Sequence, residues 1–136
     1  MITRIWQRLN VGSLQDAEHL ATANPLGITS VLSLCPKAVS MRAPAIHYVQ
    51  LPVADSCAMS ARQFDQIAAA IAQGIRRGKL LVHCAGGISR SPIIAAAWMH
   101  RCGYAAIDAA LAEIADLRPI IDPSPVLLDS VRRLLQ

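Results

Sequence analysis

The segment Lys79 to Ser91, KLLVHCAGGISRS, constrains the fold more than any other stretch of the chain. Lys79 to Cys84 reads as a buried strand, because its centre is a run of aliphatic residues of strand length. Gly86-Gly87 forces a turn directly after it. Ser91-Pro92 then opens a helix, with Ser at the N-cap and Pro at the first helical position. The rest of the chain supplies compatible pieces. Short strands are expected over Thr3 to Trp6 and Leu9 to Gly12, followed by a helix from Leu14 to Thr22 that Ser13 caps and Asn24-Pro25 terminates. Ile28 to Leu34 is β-branched and apolar, a further strand, followed by a loop through Pro36 and Pro44. Ile46 to Leu51 reads as another strand, and Pro52 to Met59 as the loop leaving it.

Ser60 with Gln63 has the spacing of a capping box, and Phe64, Ile67, Ala68, Ile71 and Ile75 recur at helical intervals, so Ser60 to Arg77 is an amphipathic helix that Gly78 stops. Gly103 closes the helix that starts at Ser91-Pro92. Two more helices follow, Ile107 to Leu117 and Pro125 to Leu135. Strands interleaved with helices, with helices gathered toward the C-terminus, give an α/β fold: a small central sheet of about four to five strands flanked by helices. A length of 136 residues suits one domain, read as residues 1–136.

Charged residues are only 16% of the chain and the hydrophobic set 54%, which excludes a disordered segment. The net charge of +4 is spread along the chain, with no basic block longer than Arg76-Arg77 or Arg132-Arg133. That is a mild preference for anions and gives no sign of a nucleic-acid partner. Arg4 and Arg8 interrupt the apolar run that a signal peptide needs, and the most apolar run, Pro92 to Met99, is far short of a membrane span. A cytoplasmic protein without a membrane partner is therefore expected. None of Cys35, Cys57, Cys84 and Cys102 has the spacing of a zinc knuckle, and His19, His47 and His100 add no metal constellation, so no metal or other cofactor is expected.

The chemistry concentrates at Cys84. A thiol at the end of a buried strand, followed by a glycine turn and a helix start, sits over a ring of backbone N–H groups and the positive end of a helix dipole. Such settings lower a cysteine pKa to about 3.5–7.5, which makes the thiolate available at neutral pH. The N–H groups of Ala85, Gly86, Gly87, Ile88, Ser89 and Arg90 can hold three phosphate oxygens, and the Arg90 fork can close on two of them. Ser89 and Ser91 can donate hydroxyls into the loop. Ser91 is assigned to the Cys84 sulfur, where it would help that sulfur leave when a covalent intermediate breaks down. On the residues alone, Asp55 is either a turn-forming loop carboxylate or a general acid.

HCAGGISRS resembles the signature loop of the dual-specificity phosphatases, within the cysteine-dependent protein tyrosine phosphatase superfamily. NVGSLQDA is similar to that family's first strand and helix entry, GITSVLSL to its second strand segment, and HYVQLPVADS to the strand and loop that carry the general acid. Arg118-Pro119 before a last helix follows in the family's order. The resemblance implies a phosphatase fold with a phosphate-binding loop between a strand and a helix. It also implies a hydrolase that cleaves phosphate monoesters through a phosphocysteine intermediate. Phosphotyrosine, and also phosphoserine or phosphothreonine in proteins, are the expected substrates. Cys84 would be the nucleophile, Arg90 the phosphate clamp, and Asp55 the acid. His83 would bond to backbone near the loop and help fix the thiolate. Cys35, at a place where some relatives form a reversible disulfide with the nucleophile, is a candidate redox partner. A monomer is expected.

Other readings compete. Asp65, one place after the core residue Phe64, reads as a surface charge. Asp122-Pro123 has the form of the acid used by low-molecular-weight phosphatases, but those place their cysteine loop at the start of the chain, so it is read here as a helix-entry turn. Ser124 stands where the resembled family often has Asn. Uncharged Ala85, Gly86 and Ile88 weigh against inositol lipids, since related lipid phosphatases place lysines there. A non-catalytic phosphate-binding pseudophosphatase, a phosphatase for a non-protein ester, and a rhodanese-like sulfurtransferase are the alternatives.

Overall fold

A computed structural model describes residues 1–136. Five strands and five helices run in the order β1 (Thr3–Trp6), β2 (Leu9–Gly12), α1 (Leu14–His19), β3 (Ile28–Ser33), β4 (His47–Gln50), α2 (Ala61–Arg77), β5 (Lys79–His83), α3 (Arg90–Arg101), α4 (Ile107–Leu117) and α5 (Pro125–Leu134). The sheet order is β1-β2-β5-β3-β4, antiparallel between β1 and β2 and parallel elsewhere. No helix is long and apolar enough to cross a membrane.

Period-two alternation sorts the sheet's side chains between two cores. Leu80, Val82 and Cys84 share one face with Leu9, Val11, Leu32 and Leu34, where the helices α2 to α5 supply Phe64, Ile67, Ile71, Ile93, Ile114 and Leu127. Leu81 and Val31 point the other way, into a smaller cluster closed by Ala17 and Leu20 near α1 and by Val39 and Ile46 from the long loop. Being covered on both faces explains why β5 is aliphatic at successive positions.

Three local expectations are corrected. The helix after Ser13 ends at His19 and not at Thr22. Leu20 turns into the smaller core, and the Asn24 side chain then exchanges two 2.8 Å bonds with the backbone of Ile28, which fixes the return into β3. Ser60 caps α2 by accepting from the Gln63 N–H at 3.1 Å, but the Gln63 amide donates to Pro52 O and leaves the box half made. The complete capping box is at Ser13 and Asp16. Ser91 is not an N-cap: α3 begins at Arg90, one turn position earlier, and the Ser91 hydroxyl is used elsewhere.

Register places the site. Gly12 and Ser33 both lie opposite His83, and Ser33 lies opposite Gln50, so the carboxyl ends of four parallel strands finish level. The segments that leave them, starting at Ser13, Leu34, Leu51 and Cys84, crowd one edge of the sheet. In open parallel sheets this is the edge where ligands bind.

Candidate active site

Cys84 is the first residue after β5 and keeps that strand's alternation, so its side chain lies buried on the helix-covered face. The chain then curls from Ala85 to Ser89 before entering α3. Every backbone carbonyl along this curl has a hydrogen-bond partner, and all but that of Ser89, which makes the first bond of α3, are held from outside. Cys84 O accepts from His83 Nδ1 at 3.1 Å and Ala85 O from the Leu14 N–H at 3.0 Å. Gly86 O and Gly87 O accept from Arg118 Nη2 and Nε at 3.4 and 2.8 Å. Ile88 O accepts from the Asp122 N–H at 2.8 Å and Ser89 O from the Ile93 N–H at 3.2 Å. A trans peptide points its N–H opposite to its C=O, so five carbonyls pulled outward and a sixth committed along α3 turn the N–H groups of the loop toward the inside of the curl, where those of Gly87 and Ile88 reach the Cys84 sulfur. That arrangement is an anion cradle.

Burial works against a charged Cys84 sulfur. The Ser91 hydroxyl, 3.2 Å from Sγ, and the backbone N–H groups of Ser91, Gly87 and Ile88 outweigh it and hold the thiol below its ordinary pKa. Ser91 is itself fully buried, so its hydroxyl has few partners besides this sulfur. Arg90 starts α3 and reaches back over the loop, where Nη1 donates to Val53 O at 3.2 Å. Its Nε is buried with no hydrogen-bond partner, a donor that an oxyanion on the cradle would satisfy.

Cys84, Ala85, Gly86, Ile88, Ser89, Arg90, Asp55 and Asp122 line an open cleft of about 330 Å³. Two clefts of similar size, about 340 Å³, lie beside Phe64 and His100 and beside Ile2 and Leu26, and neither is lined by a cysteine. Asp55 comes from the loop after β4 and is tied to the cradle, since Ser89 Oγ donates to Asp55 Oδ1 at 2.9 Å. The same Ser89 oxygen accepts from the Ser124 N–H at 2.9 Å. Ser124 Oγ caps α5 and lies 3.4 Å from Ser56 Oγ. Ser124 thus supports both loops through its backbone and its short hydroxyl. Asp65 is remote from the cleft and pairs with Arg101 on the surface. Asp122 does sit in the turn before α5, but it also lines the cleft, which the reading of a helix-entry turn alone missed.

His83 faces away from the sulfur. Its Nδ1 can only donate to Cys84 O, so in the neutral ring Nε2 accepts from Ser33 Oγ, 2.6 Å away. Burial lowers its pKa and favours that neutral form. Cys35 lies just beyond β3, buried, its thiol 3.4 Å from Lys37 O. Burial raises its pKa, and both the Arg90 charge and the Cys84 sulfur are near enough to act on it. No group of three or more His, Cys, Asp or Glu is placed to hold a metal ion. The sequence marks Arg118 only as part of an Arg-Pro segment in the resembled family's order, with no role at the loop. A cation after a helix end is ordinary, so nothing local points from it to the loop.

Comparisons with known proteins bear on the family and the fold. The profile described as "Dual specificity phosphatase, catalytic domain" matches residues 9–134. The chain is 30% identical over 128 residues to tyrosine-protein phosphatase vhp-1 of Caenorhabditis elegans, which covers 90% of this chain and 19% of that protein. It is 30% identical over 125 residues to dual specificity protein phosphatase 18 of Bos taurus, covering 90% and 66%. Against mouse dual specificity protein phosphatase 2 the figures are 28% identity, 85% and 37%. The chain thus spans between a fifth and two thirds of the length of these relatives. Among solved structures, DUSP15 superposes with a TM-score of 0.84 at 25% identity, covering 98% of this chain and 86% of that one. Human DUSP28 gives 0.83 at 24%, covering 99% and 95%. A profile that spans all but the first eight and the last two residues, and neighbours that share the whole sheet and helix arrangement, leave one conclusion: the chain belongs to the dual-specificity phosphatase family.

Proposed function

We propose that this chain hydrolyses phosphate monoesters of proteins, phosphotyrosine and also phosphoserine or phosphothreonine, through a phosphocysteine on Cys84. The observation that carries the reading is the cradle itself: inward N–H groups around a buried thiol whose ionised form they favour, under an arginine with an unused buried donor. The thiolate attacks phosphorus in line, and the P–O bond to the leaving group breaks as Asp55 donates its proton to the departing oxygen. Arg90 and the loop N–H groups hold the equatorial oxygens. Asp55, now a carboxylate, takes a proton from water as that water attacks the phosphocysteine, while the Ser91 hydroxyl stabilises the leaving sulfur. The cycle uses no metal and no organic cofactor.

Ala85, Gly86 and Ile88 bring no cation to the rim, which favours a protein substrate over an inositol lipid. We propose a cytoplasmic location, because the four cysteines are all unpaired thiols and the mechanism needs one of them reduced. With the basic residues spread along the chain and no helix long and apolar enough to cross a membrane, we include no nucleic-acid or membrane partner, and we take the protein as a monomer. Cys35 is proposed as the thiol that captures an oxidised Cys84.

The test is turnover of an aryl phosphate with EDTA present. Cys84→Ser is expected to be inactive. Asp55→Asn is expected to lose about 100-fold or more in kcat on a poor leaving group, together with the falling limb of a bell-shaped pH profile. Asp122→Asn keeps that limb. If Asp122→Asn removes the limb and Asp55→Asn retains it, the acid is Asp122 and the assignment is wrong.

A further inference from the structure

Arg118 is 5% exposed, yet no carboxylate lies within ion-pair distance of it. A buried guanidinium without a counter-ion is costly, and this one is satisfied only by neutral acceptors. Nε donates to Gly87 O at 2.8 Å and Nη2 to Gly86 O at 3.4 Å. Nη1 donates to Met1 O at 2.6 Å and to Thr3 Oγ1 at 2.9 Å. The two loop carbonyls belong to particular peptide planes. Gly86 C=O shares its plane with the Gly87 N–H, and Gly87 C=O shares its plane with the Ile88 N–H. These two N–H groups are among the donors that favour the Cys84 thiolate.

We infer that Arg118 is a positioning residue for the phosphate loop, gripping the outer ends of the two peptide planes whose inner ends face the Cys84 sulfur. The inference rests on the reading of Cys84 as the nucleophile. In each plane the order is guanidinium, C=O, N–H, sulfur, so the cation aligns and polarises the peptide dipole toward the negative end. Arg118 touches neither substrate nor sulfur. Its effect passes through the backbone, 31 residues away in sequence.

A purely structural role, tying β1 to the loop through Met1 and Thr3, predicts something different. Loss of that tie would lower stability and leave the chemistry of the folded protein unchanged. The experiment therefore measures Cys84 alkylation by iodoacetamide against pH, and kcat and KM on an aryl phosphate. Both are read for wild type, Arg118→Met, Arg118→Lys and Thr3→Val, at temperatures where each variant is folded. Arg118→Met is expected to move the alkylation titration to higher pH and to cut kcat/KM by about 10- to 100-fold, since two of the cradle's donors lose their aim. Arg118→Lys, which keeps the charge but can hold only one carbonyl well, falls between, and carries the test alone if Arg118→Met does not fold. Thr3→Val loses one of the two bonds that tie Arg118 to the N-terminal segment, the one to Met1 O remaining, and keeps the wild-type titration. Folded Arg118 variants with a wild-type titration and wild-type kcat/KM would overturn the inference. A wild-type Cys84 inert to alkylation across neutral pH would instead remove the phosphatase reading beneath it.

Discussion

Gly87 adopts φ +65°, and a methyl group there would lie 2.6 Å from Gly12 O and 2.6 Å from Arg118 Nη2. Strain and collision therefore add up at one position. Gly27 separates the two, because it has φ +71° but open space around its missing side chain. Gly27→Ala should cost only the left-handed conformation, about 1–2 kcal/mol of stability, and leave turnover alone. Gly87→Ala should displace the peptide planes of the cradle and lower kcat/KM on an aryl phosphate by about 100-fold, since catalysis by positioning tolerates little misplacement. Steady-state kinetics and urea titration of both variants decide this; equal turnover in the two would mean that the loop reshapes freely. Cys84 and Cys35 permit a second experiment at this scale. A low-pKa thiol oxidises first, to the sulfenic acid, and a neighbouring thiol can then displace water from it to form a disulfide. Mild peroxide is expected to give a Cys35–Cys84 crosslink by mass spectrometry, reversed by dithiothreitol. Sulfinic or sulfonic Cys84 beside a free Cys35 would reject the pairing.

Gly74 governs how the longest helix lies on the sheet. A Cβ at this position of α2 would come within 2.8 Å of a Leu80 methyl on β5, a side chain that is itself buried. Alanine gains about 1 kcal/mol in helix propensity, whereas overfilling a packed core costs about 1–3 kcal/mol. The second effect wins, so Gly74→Ala should lower the urea midpoint, and a raised midpoint would show that α2 can lift off without penalty. The helix itself was legible in the sequence because Phe64, Ile67, Ala68 and Ile71 obey a local period, and all are buried. The Cys84 to Arg90 loop was legible for a similar reason: nucleophile, glycine turn and arginine are contiguous. Strand order was not, since β5 enters between β2 and β3 by long crossovers that leave no local trace. The outward grips on the loop share this fate. Leu14, Arg118 and Asp122 lie far from it along the chain, and only the fold brings them together. The cap at Ser91 was misread because Ser-Pro spacing suits a helix start, while Cys84 competes for the same hydroxyl and wins.

The dependence of stability on pH follows from which buried groups the fold as a whole keeps from their ordinary charge state. Burial lowers the His83 pKa from 6.5, against the pull of Asp16 and Glu18 and with the push of Arg90. Below about pH 6.5 the unfolded chain takes up a proton that the folded one refuses, so stability falls with acid until the folded pKa is reached. Cys84 is opposed by burial but stabilised as thiolate by Ser91 and the loop, which leaves its pKa below 9.0. Between that lowered value and 9.0 the unfolded chain again holds the extra proton, and stability rises with pH. Cys35 runs the other way: burial raises its pKa above 9.0, so the folded protein holds the extra proton there and further alkali destabilises it. Below pH 9.0 the His83 and Cys84 signs agree, so stability rises with pH through the window of each, with a slope of at most about 1.4 kcal/mol per pH unit for each proton involved, and Cys35 opposes them only above 9.0. Urea midpoints at pH 5.5, 7 and 8.5 measure it. His83→Gln should flatten the arm below about pH 6.5 and Cys84→Ser the arm approaching pH 9.0, each leaving the other slope in place. A midpoint that falls from pH 7 to 8.5 in the wild type would mean that the Cys84 sulfur is protonated in the folded protein, and the cradle would then lack the charge on which its chemistry depends.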